Sequence, residues 1–145
     1  MDLPILHKLT KHLKKSLKLA ATLAINLRHQ KINLAHLLYG LSANRGGISY
    51  DILKKINLKP ENIKSQISQT ISPNFDQSIK EEDLKFSSSA KKALEKAVLL
   101  ANKFNHKYVG TEHLLLAIVE LNDPKIDQLL KQNNVSAGEI KKRIA

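Results

Sequence analysis

The stretch GTEHLLLAIVE, residues 110–120, is an altered copy of one already written at residues 33–43, NLAHLLYGLSA. Their histidines, His36 and His113, lie 77 positions apart, and that one offset aligns 9–68 with 86–145 without a gap. Of the 60 aligned pairs 16 are identical, among them Lys14 with Lys91, Leu17 with Leu94, Ala20 with Ala97, His29 with His106, Leu53 with Leu130 and Ile63 with Ile140. Helical bias alone does not sustain an ungapped register of that length. The chain reads as a tandem duplication.

Composition bounds what the duplication can build. A chain of 145 residues is one ordinary domain, or two very small ones that share a core, and 42% hydrophobic residues suffice for a packed interior. There is no cysteine, which excludes disulfide staples and thiolate chemistry. No apolar run is long enough for a membrane span, and the opening MDLPILHKLTKHLKKSLKLA mixes its lysines with leucines instead of separating a basic head from an apolar stretch. These features fit a cytoplasmic protein with no membrane partner.

Each copy reads as four short helices. The first covers about 10–28 and 87–105, with an apolar stripe at Leu13, Leu17, Ala20, Ala24 and Leu27, matched by Ala90, Leu94, Ala97, Ala101 and Phe104. Thr10 and Ser87 stand where N-caps are wanted. The repeated motif forms the second helix, with Thr111 as its expected N-cap, Glu112 favoured in the first turn, and Leu114, Leu115, Ile118 and Leu121 as its buried face. A third helix is expected over 48–55 and 124–132, where Pro124 suits a first turn, and a fourth starts near Pro60 and Ser136. No strand pattern of useful length appears. The expectation is an all-α fold of about eight helices: repeat one at 9–68, a polar linker at 69–85, and repeat two at 86–145. Because each four-helix unit alone has a very small core, the two should pack as a single pseudo-twofold domain.

The pattern F-S-x-x-A-K-K at 86–92, then H-K-Y-V-G-T-E-H-L-L-L-A-I at 106–118, then N-N-V-S at 133–136, resembles the N-terminal (Clp repeat) domain of the ClpA and ClpC type of AAA+ unfoldases. The similarity covers essentially the whole chain, more specifically in the second half than in the first. It implies an all-helical double repeat on top of a hexameric ATPase, receiving adaptor proteins and protein substrates for delivery to a partner peptidase. The motor is missing from this sequence: no G-x-x-x-x-G-K-[ST] segment occurs, so no loop of backbone amides and lysine is present to hold nucleotide phosphates. The resemblance therefore implies a non-catalytic module, with the ATPase body in another part of a longer chain or on a separate subunit, and no cofactor.

In ClpC-like relatives the glutamate of G-T-E-H contacts the guanidinium of phosphoarginine, a degradation tag, while groups at the start of the first helix receive the phosphate. Carried over, this implies a site of Phe86, Ser87, Lys91 and Glu112 in the second copy. In the first copy Thr10 and Lys14 persist, but Ala35 stands in place of the glutamate. A helix N-terminus with a hydroxyl and an ammonium favours an anion, and a carboxylate favours a guanidinium. The bland alternative is that Glu112 completes a helix start and Ser87 only caps.

The histidine pairs recur in both copies, seven residues apart, but zinc sites need three or four ligands and no cysteine accompanies them. His36 and His113 share the leucine face and read as buried structural histidines with satisfied ring nitrogens. No nucleophile–base–acid arrangement stands out. Of the net charge of +11, residues 1–68 carry 12 basic and 3 acidic side chains, and Lys8, Lys11, Lys15, Lys18 and Arg28 surround the apolar stripe of the first helix. That face could dock an acidic protein or tag. Aromatic residues are only 4% of the chain and no DNA-reading motif is present, which speaks against nucleic acid.

Overall fold

The computed structural model describes residues 6–74 and 79–144; positions 75–78, inside the expected linker, lie outside the described residues. Eight α-helices follow in chain order: α1 (Lys11–Asn26), α2 (Leu34–Ala43), α3 (Ile48–Lys55), α4 (Pro60–Thr70), α5 (Ser88–Lys103), α6 (Thr111–Glu120), α7 (Pro124–Gln132) and α8 (Ala137–Ile144). Two-residue strands, β1 (Lys31–Ile32) and β2 (Lys85–Phe86), precede α2 and α5. The 77-residue offset carries α1 onto α5 and α2 onto α6 end to end, and α3 and α4 onto α7 and α8 with small differences at their ends. The fold is all-α, two four-helix units related by a pseudo-twofold.

The ends of the first helices follow from local chemistry. Thr10 and Ser87 cap α1 and α5, their hydroxyl oxygens accepting from the N–H groups of Leu13 and Ala90, each at 3.1 Å. At the other end Arg28 and Asn105 take left-handed backbone, with φ of 59° in both, and the chain doubles back so that the N–H of His29 reaches the oxygen of Ala24 at 2.8 Å and that of His106 reaches Ala101 at 2.9 Å. This is a Schellman stop in each copy. A second pair, Asn57 and Asn134, ends α3 and α7 the same way.

Two expectations need correction. Thr111 is the first residue of α6, and Gly110 is its N-cap. The Thr111 hydroxyl instead crosses to the other repeat and accepts from the N–H of Ser49 at 3.2 Å, supplying an acceptor at the start of α3, whose own cap is Gly47. The mate of α3 needs no such help, because Asp123 caps α7 through Lys125 and Ile126. Nor does α6 bury one face: Leu114 through Val119 are all buried, and only Glu112 in its first turn and Glu120 and Leu121 at its end are half exposed. Its mate α2 is buried nearly as completely. The two are central helices, apolar nearly all round, and they contact each other across the pseudo-twofold while the other elements wrap them.

The first unit is the more tightly closed at one crossing. Gly40 on α2 lies against the backbone of α1, where an added Cβ would collide with the Ser16 oxygen. Its mate in α6 is Ala117, so the second unit has room for a methyl group that the first does not. Gly40→Ala should therefore lower stability by about 3 kcal/mol in urea unfolding. An equal or higher midpoint would contradict this packing.

Candidate functional site

The strands decide which surfaces meet. β1 pairs with β2 in parallel, Ile32 opposite Phe86, and Leu9 makes the matching parallel bridge to Val109. The N–H of Ser87 donates to the oxygen of Ile32 at 3.0 Å, and that of Thr10 donates to Val109 at 2.9 Å. Each first helix thus begins beside the second helix of the other repeat. Thr10 lies next to the start of α6, which carries Glu112, with Lys14 one turn further along α1. Ser87 lies next to the start of α2, which carries Ala35, with Lys91 one turn further along α5. The sequence grouping of Ser87 and Lys91 with Glu112 is corrected accordingly: sequence equivalence pairs residues within a copy, and the bridges pair them between copies. Phe86 is buried at 7% exposure and belongs to the core.

Two grooves mark these junctions. The first, about 440 Å³, runs between the starts of α2 and α5, the end of α4, and α7, with Ala35, Ser87, Ile67, Ile71 and Leu129 among its walls. The second, about 870 Å³, lies between α3, the start of α6, and α8, with Glu112, Ile48, Ile52, Asp51, Lys55, His106, Glu139, Lys142, Arg143 and Ile144. The offset relates them: Ala35 maps to Glu112, Gln66 to Arg143, Ile67 to Ile144, Gln128 to Asp51, Leu129 to Ile52 and Gln132 to Lys55. One copy of the groove carries a single charge of each sign, Asp123 and Lys125, and the other carries three acids, Asp51, Glu112 and Glu139, and three bases, Lys55, Lys142 and Arg143. Among the described residues no ion pair joins its acids to its bases. Sequence reasoning missed Asp51, Lys55, Lys142 and Arg143; the charge changes between mates, Gln128 to Asp51 and Gln132 to Lys55, were the available signal.

The histidines form two relays whose polarity follows from one backbone group each. The Asn33 N–H donates to His36 Nδ1 at 2.9 Å, so in the neutral ring His36 Nε2 carries the proton and donates to His29 Nδ1 at 2.9 Å, and His29 Nε2 donates to the Ile71 oxygen at 3.2 Å. In the second copy Gly110 N–H donates to His113 Nδ1 and His113 Nε2 donates to His106 Nδ1, both at 2.8 Å. A histidine at the third position of α2 and α6 so reaches back to the N-cap amide, the part Glu or Gln plays in a capping box. His36 is fully buried, and burial first, then the neighbouring His29, lowers its pKa to about 4. Burial also lowers His29 and His113. His106 differs from the other three in being exposed.

Glu112 Oε1 stands 3.8 Å from His113 Nδ1, but that nitrogen already accepts the Gly110 N–H and carries no proton. The contact is no ion pair. The carboxylate folds back over Gly110, where a Cβ would strike it, so a glycine cap and the glutamate go together in this copy as Asn33 and Ala35 do in the other. Phe104, expected on the apolar stripe, is half exposed beyond the end of α5 and stacks on the His113 ring at 6.5 Å between centroids. Lys11, Lys14, Lys15 and Lys18 are exposed along α1, which has no acidic residue. Arg28 departs from that group: it lies past the helix end and its Nε donates to the Asn74 oxygen at 3.2 Å. Among the described residues no three of His, Cys, Asp or Glu come together as a metal set, and no helix is long and apolar enough to cross a membrane.

The family described as the Clp repeat (R) N-terminal domain matches residues 8–133. The negative regulator of genetic competence ClpC/MecB of Bacillus subtilis (strain 168) is 28% identical over 137 residues, 94% of this chain and 16% of that protein. The ATP-dependent Clp protease ATP-binding subunit ClpC of Staphylococcus aureus (strain USA300) is 31% identical over 116 residues, 80% of this chain and 14% of that one. The chain thus spans about a sixth of the length of these relatives. Among solved structures, the N-terminal domain of the chaperone ClpD from Arabidopsis thaliana superimposes with a TM-score of 0.82 at 17% identity, over 99% of this chain and 96% of that chain. A ClpV N-domain in complex with a VipB peptide gives a TM-score of 0.72 at 24% identity, over 100% and 90%.

The relays make stability fall in acid. A histidine whose folded pKa is depressed takes up its proton in the unfolded chain first, so its contribution is complete above about pH 6.5. Below that it is lost, for His36 until about pH 4. Urea unfolding should show stability level above about pH 6.5 and falling below it, by up to about 1.4 kcal/mol per pH unit from His36 down to about pH 4, with His29 and His113 acting in the same direction. A flat profile would show that the rings are not held neutral.

Proposed function

Because the chain belongs to the family of Clp repeat N-terminal domains, which are non-catalytic, we propose that it recruits polypeptides, adaptors or clients, to a Clp-type unfoldase, and that the groove at Glu112 receives the guanidinium of phosphoarginine-tagged clients. The observation that carries the finer part is the Glu112 carboxylate: it is half exposed and faces an unprotonated ring nitrogen, and among the described residues no lysine or arginine nitrogen stands within 4.0 Å of it. A guanidinium entering there gains a charge-assisted pair that the protein leaves unmade. Thr10 caps the helix start beside it, and Lys14 follows one turn later on the same helix, which suits a phosphate. Ser87 and Lys91 offer the same groups beside Ala35, without the carboxylate. Peptide binding by the structurally similar ClpV N-domain supports recruitment of polypeptide in general.

Calorimetric titration of free phosphoarginine tests this. The expected result is one site per chain, weakened at least about tenfold in Glu112→Gln. Ala35→Glu should create a second site beside Ser87 and Lys91. Equal heats for the native protein and Glu112→Gln would remove the phosphoarginine reading and leave the recruitment reading standing.

A second reading, a cationic helical protein for an acidic macromolecule, is favoured by one observation, the uncompensated lysines of α1. If the acidic partner is nucleic acid, duplex binding should weaken steeply as salt rises; no gel shift at low salt would discard that partner.

A further inference from the structure

Arg45, Lys54, Lys59 and Lys64 line one cleft of about 660 Å³ in the first repeat, between the end of α2, α3 and the start of α4, together with a single acid, Glu61. Local structure gathers them. Lys54 follows Tyr50 one turn later on α3, its Nζ 5.8 Å from the centre of that ring. Asn57 takes left-handed backbone and the Leu58 N–H returns to the Leu53 oxygen at 2.9 Å, a stop that leaves Lys59 as N-cap of α4 and Lys64 in its second turn. All four bases are exposed, and two tyrosines of the cleft, Tyr39 and Tyr50, are half buried. Among the described residues no carboxylate oxygen stands within 4.0 Å of any of the four. The other repeat shows that the fold does not need this charge. The offset carries Arg45 to Asn122, Tyr50 to Asp127 and Lys59 to Ser136, and it carries Ala43 of the cleft wall to Glu120, which pairs with Lys96 at 3.5 Å. A smaller cleft, about 490 Å³, lies at these mates, and there two acids, Asp127 and Glu139, accompany one base, Lys131.

We propose that this cleft docks an acidic segment of a protein partner, whose carboxylates meet Arg45, Lys54, Lys59 and Lys64 while its carbon chain lies against Tyr39 and Tyr50. Charge complementarity carries the proposal: four cations without an acidic partner among the described residues converge on one concavity, and only Glu61 opposes them. The tyrosines add what a polypeptide uses, an apolar ring face and a hydroxyl that donates to a carboxylate. A short run of acidic side chains can arrange itself around Glu61, whereas a continuous phosphate chain would hold charge against it. That favours polypeptide over nucleic acid. The cleft shares no residue with the groove at Glu112. The proposal rests on the reading that the domain recruits polypeptide, and it does not require phosphoarginine.

The test uses the ¹⁵N-labelled 145-residue protein at pH 7.5 and low salt, with acetylated and amidated hexaglutamate as probe and hexaglutamine as its uncharged control. The expected result is movement of the amide signals of Arg45, Tyr50, Lys54, Lys59 and Lys64 with hexaglutamate and not with hexaglutamine, by a binding that weakens as salt rises. Arg45→Asn together with Lys59→Ser, which copies the other repeat, should weaken hexaglutamate by about fivefold, the worth of two exposed ion pairs. Lys103→Gln together with Lys131→Gln, an equal loss of charge elsewhere, should stay within about twofold. Equal weakening by the two double variants, or movement confined to α1 or to the groove at Glu112, would overturn the proposal and leave polypeptide recruitment standing. Tighter binding of a short thymidine strand at the same signals would make the partner nucleic acid and overturn it. Signals that move with protein concentration alone would make the occupant a second copy, through its acidic run Glu81–Asp83, and overturn it as well. Reduced and carboxamidomethylated lactalbumin, an unfolded polypeptide, separates the two readings. If it binds and hexaglutamate does not, only this proposal falls; if neither binds anywhere, both fall. The native-protein signals decide the matter even if a variant fails to fold.

Discussion

Two parallel bridges, Leu9 to Val109 and Ile32 to Phe86, set every surface of consequence in this chain. They are small, one residue pair and a two-residue ladder, yet they are buried backbone pairings, and a buried N–H or C=O left unpaired would be costly. Through them each repeat lends its first-helix N-terminus to the other repeat's second helix. The grooves therefore belong to both halves at once. So does the start of α3, whose acceptor is the Thr111 hydroxyl from the opposite copy. The two units complete each other's helix ends.

The paired histidines are the second consequence of this layout. A Schellman stop puts His29 and His106 just past the first helix, and the N-cap geometry puts His36 and His113 at the third position of the next. Seven residues separate the members because that is what a helix stop, a short strand and a capped helix start require. The pairing stitches the turn between helices, and it holds its polarity only while the rings stay neutral.

Much of the fold was legible in the chain. The offset, the caps at Thr10 and Ser87, the third helices and the structural character of His36 and His113 could all be read from residue types and spacing, because each is a local matter. What could not be read was adjacency. Aligning the copies says that Ser87 matches Thr10, and only the bridges say that Thr10 is the one beside Glu112. Thr111 has the residue type of an N-cap, yet Gly110 holds that position and frees its hydroxyl for the other repeat. Phe104 fits the apolar period of α5, but the helix ends before it, so the ring lies out over His113. The groove charges at Asp51, Lys55 and Arg143 are dispersed in sequence and converge only in space.

Divergence between the two grooves gives the two halves their asymmetry: one has Ala35, glutamines and a single charge of each sign, the other Glu112 and five further charged side chains. All of this presumes that the halves fold only together. The direct measurement is to prepare 1–74 and 79–145 as separate polypeptides and follow helix content and unfolding by circular dichroism, alone and mixed. Each should lack a cooperative transition on its own, and an equimolar mixture should regain both native helix content and a single transition. A half that unfolds cooperatively by itself, or a mixture that equals the sum of its parts, would contradict the account.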